Sequence, residues 1–145
     1  MKRLFISICL IITACAEHQN PVPNYPVHIN VDLTYRDKEL RDVPSSKAFT
    51  LKNVNINFEQ VGFGGVLVVH AIDDQYYAFD LSCPYEASRT TLVEADENTL
   101  TAVCPRCGTK YDIGFGGSGA PNGVSSHYLK RYTVTGSGSQ LVVSN

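Results

Sequence analysis

Val27, Ile29, Val31 and Leu33 alternate with polar residues, and this period of two predicts a strand with one buried face. The alternation returns through Val54, Ile56 and Phe58 and predicts another strand over residues 51–58. Residues 66–69 are continuously apolar between a glycine turn at 62–65 and the Asp73-Asp74 turn, a compact apolar strand. Residues 76–81 form a strand that runs straight into Cys83. Residues 90–93 and 99–103 predict a hairpin closed at 96–98, whose second arm delivers Cys104. A short strand follows at 111–113, and residues 132–134 and 141–143 predict a last hairpin around 136–139. Residues 37–43 suit a helical turn or two, which Pro44 stops. Short strands with turn signals throughout predict an all-β domain, sandwich or barrel-like, without internal repeats.

The longest apolar run has a different character. Lys2 and Arg3 precede an almost entirely apolar stretch from Leu4 to Ala14, and Cys15 follows. It is long enough for an export-signal core and far short of the roughly 20 residues a spanning helix needs. Ile12-Thr13-Ala14-Cys15 resembles the lipobox of bacterial lipoproteins. The resemblance implies that residues 1–14 are a signal peptide cut off before Cys15. It further implies that Cys15 is acylated and becomes a lipid anchor in the membrane; an ordinary signal peptide with an incidental cysteine is the alternative. Residues 15–26, with three prolines and two asparagines from Asn20 onward, read as the lipidated N-terminus and an extended tether. Residues 27–145 are the folded domain. The expected location is the bacterial cell envelope, outside the cytoplasm, on the periplasmic or outer-membrane face.

Charge narrows the partners. Removal of Lys2 and Arg3 leaves ten basic side chains against fourteen acidic ones, a balance of −4. With no basic cluster to set against it, this argues against nucleic acid. The chain is the size of one domain with a single core.

Candidate chemistry collects at two loops, Cys83-Pro84-Tyr85 and Cys104-Pro105-Arg106-Cys107-Gly108. Cys-x-x-Cys followed by glycine is the knuckle of zinc and iron–sulfur sites, because the tight turn aims both sulfurs at one point. If Cys15 is acylated, three thiols remain, an odd number that one disulfide cannot consume.

From Gly64 to Val143 the chain resembles a Rieske domain. That family reads Cys-x-His, a hairpin, Cys-x-x-His-Gly, an aromatic three residues on, a glycine-rich flap and Leu-x-x-Tyr-x-Val. The corresponding residues are Cys83 and Tyr85, Cys104 and Cys107-Gly108, Tyr111, the glycines from Gly114 to Gly119, and Leu129, Tyr132 and Val134. The strand Tyr76-Tyr77-Ala78-Phe79-Asp80 matches the one leading into the first loop. The resemblance implies stacked antiparallel sheets with two cysteine-bearing loops at their tips. In the family two cysteines hold one iron of a [2Fe-2S] cluster and two histidines hold the other. Here Cys83 and Cys104 keep the first pair, while Tyr85 and Cys107 stand in the histidine positions. A phenol is mostly protonated at neutral pH and is a weaker ligand than imidazole; Cys107 is a competent one.

Three occupants of the loops compete. The loops carry no cluster and two thiols form a disulfide; closing Cys83 to Cys104 would be worth about 3 kcal/mol in the chain-entropy model. Alternatively Cys83, Cys104 and Cys107, with Tyr85 or another residue, bind a [2Fe-2S] cluster and transfer electrons. Third, the same thiols bind zinc. The short apolar signal resembles the export route of unfolded chains, which favours the cluster-free reading. The loop tips are expected to face a redox or other protein partner.

Other groups carry less. His70 and His127 are lone histidines near strand ends, and His18 and His28 lie in or beside the tether. Asp73-Asp74 and Asp96-Glu97 occur where carboxylates serve turns. Ser125 and Ser126 precede His127 without a nucleophile elbow. No catalytic residue can be named, and a hydrolase is the least supported class.

Overall fold

The computed structural model describes residues 19–145. The expected signal peptide and Cys15 therefore lie outside the described residues.

Among the described residues, eleven strands are all paired antiparallel. They are β1 (Val27–Asp32), β2 (Ser45–Phe49), β3 (Gln60–Val61), β4 (Val66–His70), β5 (Tyr76–Asp80), β6 (Glu94–Asp96), β7 (Thr101–Val103), β8 (Lys110–Asp112), β9 (Pro121–Asn122), β10 (Arg131–Ser137) and β11 (Gln140–Ser144). One 3₁₀ turn spans Lys38–Arg41. Seven strands run in the order β2-β4-β5-β10-β11-β1-β3, and a separate four-stranded sheet runs β6-β7-β8-β9. Strand β10 pairs with β5 at Arg131 and Tyr132, then with β11 from Thr133 to Ser137. One long strand thus joins two layers, and the four-stranded sheet adds the third. The architecture is all-β, with the stacked antiparallel sheets that the resemblance to a Rieske domain implies.

Strand β4 shows why the layers stack. All five of its residues are buried. Val66 and Val68 enter a core with Ile29, Val31, Phe49 and Val143, while Leu67 and Val69 enter a second core with Phe79, Leu81, Tyr111 and Ile113. Successive strand side chains point to opposite faces, so an uninterrupted apolar strand must be covered twice. The second core also holds Cys83 and Cys104.

Two sequence expectations need correction. Residues 51–58 are turns, not a strand, and Ile56 and Phe58 are 69% and 72% exposed. Asparagine side chains outcompete the alternation: Asn53 accepts from Thr50 N–H and donates to Ala48 O, and Asn55 Oδ1 accepts from Asn57 N–H. Buried Glu59 then ties the loop to β1, accepting from Asn30 N–H at 3.1 Å and Asn55 N–H at 2.8 Å and pairing with Arg36. The strand in this region is β2, which pairs with β4. The hairpin before Cys104 also starts later than the sequence suggests, with β6 rather than residues 90–93 opposite β7. Residues 90–93 contribute only a bridge, Leu92 to Ser82.

Residues 19–26 form no strand or helix and are clasped against the domain. Val22 is buried, and Lys130 Nζ donates to Val22 O and Pro23 O at 3.0 and 2.8 Å. The Arg89 guanidinium lies over the Tyr25 and Phe63 rings, 4.3 and 4.7 Å from their centroids.

Candidate functional site

The first cysteine loop is fixed from below by Asp80, the last residue of β5. Its fully buried carboxylate accepts from Ser82 N–H at 2.7 Å, Gly64 N–H at 3.1 Å, Phe63 N–H at 3.2 Å and Tyr132 Oη–H at 2.6 Å. These bonds satisfy the buried charge and bring the 62–65 turn against the loop. Gly64 is required there, because a Cβ would stand 2.6 Å from Ser82 N. Burial, then the bond to Asp80, pushes the Tyr132 phenol far above its ordinary pKa, so it stays a donor. The loop then turns over Cys83, whose carbonyl accepts from Glu86 and Ala87 N–H, while Cys83 N–H bonds to Thr91 O.

The second loop is a tight knuckle after β7. Cys104 O accepts from Gly108 N–H at 2.9 Å, Cys104 N–H bonds to Thr109 O at 2.9 Å, and Gly108 takes φ +74°. Glu86 and Arg106 form an ion pair at 3.3 Å that ties one loop tip to the other.

The three thiols meet between the loops. All three sulfurs lie within 4.8 Å of one another, and Cys83 Sγ to Cys107 Sγ is 3.7 Å. All three are free cysteines. Cys83 and Cys104 are fully buried and Cys107 is half-buried. Burial lifts the Cys104 thiol to about 11. Burial also raises Cys107, but contact with the Thr109 hydroxyl and backbone outweighs it and brings the thiol below its ordinary value. Cys107 Sγ lies 3.3 Å from Thr109 Oγ1, a hydroxyl that already accepts from Ser125 N–H at 3.2 Å and can therefore donate to a thiolate.

A phenol does touch the sulfurs, but it is Tyr111, whose Oη lies 3.3 Å from Cys83 Sγ. Burial, then that contact, raises its pKa steeply. Tyr85, the residue in the first histidine position, is 56% exposed. Sequence reasoning placed Tyr111 only as the aromatic of the second motif and missed Thr109. Tyr111 sits four residues beyond Cys107 on β8, which returns beside β7 and so beside both loops.

Groups given little weight from sequence have local partners. His70 is buried, stacks on Tyr76 and lies 3.0 Å from Asp74. Asp73 accepts from Gln75 N–H, and Asp96 accepts from Asn98 N–H and Thr99 Oγ1–H, as turn carboxylates do.

Neither a protein-family model nor a curated protein matches the chain. Solved structures do. One is a chain of the complex of reduced oxygenase and oxidized ferredoxin in carbazole 1,9a-dioxygenase, at 15% identity and a TM-score of 0.50, covering 81% of this chain and 93% of that one. Another is the ferredoxin of carbazole 1,9a-dioxygenase from Nocardioides aromaticivorans IC177, at 19% identity and a TM-score of 0.47, covering 83% and 95%. The first likeness, with the layer order above, establishes the class of the fold: this is a Rieske-like domain with two cysteine-bearing loops.

The cluster of that fold class does not fit the residues present. A histidine-ligated [2Fe-2S] centre needs two cysteines on one iron and two imidazoles on the other. Among the described residues the metal-capable group here is Cys83, Cys104 and Cys107, with no histidine in it. Cys107 stands in the second histidine position, and its sulfur lies within 4.8 Å of the other two.

Proposed function

We propose that the protein is an exported lipoprotein, anchored through a lipid on Cys15. It presents a Rieske-like domain whose loop pair carries thiols in place of the usual cluster and serves as a binding module. The observation that carries this reading is the convergence of three sulfurs within 4.8 Å of one another while Tyr85 is turned to solvent. Exposed Tyr85 and Arg106 stand on the two loops that the Glu86–Arg106 pair ties together, a polar and aromatic pair of tips suited to a protein partner.

The test is chemical analysis of protein purified without air from its native membranes. The expected result is a colourless protein without iron or acid-labile sulfide. Stoichiometric iron and sulfide with cluster absorption bands would overturn it. The anchor has its own test: Cys15→Ala moves the protein from the membrane fraction to the soluble one, and unchanged partition would remove the lipid from the account.

A second reading is favoured by the likeness to a chain from an oxygenase–ferredoxin complex. In it the domain is an electron carrier that docks on a redox protein and holds a [2Fe-2S] cluster through Cys83, Cys104 and Cys107. The same iron and sulfide analysis separates the two.

A further inference from the structure

We propose that Cys83, Cys104 and Cys107 bind a single zinc ion through three sulfurs, with the fourth position open on the solvent side. This rests on the cluster-free reading of the same loops and says what occupies them.

The spacing comes first. Zinc–sulfur bonds of about 2.3 Å in tetrahedral array place sulfurs about 3.8 Å apart. Cys83 and Cys107 stand at 3.7 Å, and the third sulfur lies within 4.8 Å of each. A disulfide needs about 2.05 Å between two sulfurs and leaves the third unpaired. One ion uses all three with small side-chain adjustments.

The donors and their surroundings agree. Three thiolates with no carboxylate or imidazole in the group form a soft set, which disfavours magnesium, calcium and manganese. The sulfurs are positioned by two loops that are each hydrogen-bonded and are tied together by Glu86 and Arg106. Two hydroxyls stand beside the sulfurs, Tyr111 on Cys83 and Thr109 on Cys107, as the outer partners that orient metal ligands do. Cys107 is the sulfur open to solvent, so a fourth ligand, water or a partner's side chain, arrives from that side. The soft thiolate set suits zinc and copper(I) alike, and direct competition separates them.

The experiment uses the full-length lipidated protein in detergent, reduced, without air and stripped of metal by a chelator. It is titrated with zinc alone against a chromophoric competitor, then with cobalt(II) as a spectroscopic stand-in. The expected result is one ion per chain, protection of all three thiols from alkylation, and the charge-transfer and ligand-field bands of tetrahedral thiolate cobalt. Cys107→Ser should weaken zinc by more than about 100-fold, and Thr109→Val by about 10-fold with the strand circular dichroism unchanged. A protein that lacks iron and sulfide yet retains no zinc and gives no tetrahedral cobalt spectrum overturns this inference alone. Iron and sulfide in the native protein would overturn the reading beneath it as well. Tighter retention of copper(I) in direct competition would also overturn the zinc assignment.

Discussion

Three cysteines of one residue type have three environments here. Cys104 is buried and its thiol is lifted to about 11, whereas Cys107 is half-buried and brought below its ordinary value by Thr109 after burial has raised it. Thiolate attacks and thiol does not, so access and pKa act in the same direction. In reduced, metal-free protein at about pH 8, iodoacetamide should modify Cys107 well before Cys104. Peptide mass mapping of a time course reads the order, and equal rates would contradict the contacts described. Asp80 is the other decisive residue. Asp80→Asn keeps the shape but turns one oxygen into an amide N–H donor, set either against the Gly64 and Ser82 N–H groups or against Phe63 N–H and the Tyr132 hydroxyl, leaving buried donors unpaired. The expected loss is about 2–4 kcal/mol, seen as a lower urea midpoint. Sequence marked the cysteines because their spacing is local. It gave no sign of Asp80's role, since the carboxylate's partners Gly64 and Tyr132 come from two other segments.

At the level of elements, a periodic pattern held where both edges of the strand were paired and one face met the core. Strand β1 follows the alternation of residues 27–33 because β11 and β3 flank it and Ile29 and Val31 enter the core. The same alternation at 54–58 fails because asparagine side chains satisfy the backbone locally and no neighbouring strand competes for it. The two segments should therefore respond differently to substitution. Ile56→Ser with Phe58→Ser should change stability by less than about 0.5 kcal/mol each, since both side chains are already in water. Val31→Ala should cost about 2 kcal/mol or more. Denaturant midpoints of the two variants check the contrast. A large loss from the first pair would mean that residues 51–58 cover something.

For the whole molecule, the segment before β1 is held against the domain at several points. Lys130 on the strand side holds the carbonyls of Val22 and Pro23, Asn20 reaches Tyr128 O, and Arg89 lies against Tyr25. The extended segment is thereby laid along the domain rather than left as a free spacer. Lys130→Ala should release it. Limited proteolysis would then cut within residues 19–26 faster, while the urea midpoint of the domain moves little, because the core clusters do not depend on that lysine. Unchanged cleavage would show that Val22 burial alone holds the segment.

The sequence by itself determined the all-β class, most strand positions, the two cysteine loops and the likeness to a Rieske domain. These rest on period-two burial, turn residues and motif spacing, all of which are written along the chain. Only the tertiary structure decided how the three sulfurs stand to one another. Cys83 and the Cys104–Cys107 knuckle arrive on different strands, and their separation is set by the second core, by Asp80 beneath one loop and by the Glu86–Arg106 pair across both. Distance between loop tips is a property of packing, so residue spacing could name the thiols but could not show that they converge, that Tyr111 joins them, or that Tyr85 stays in solvent.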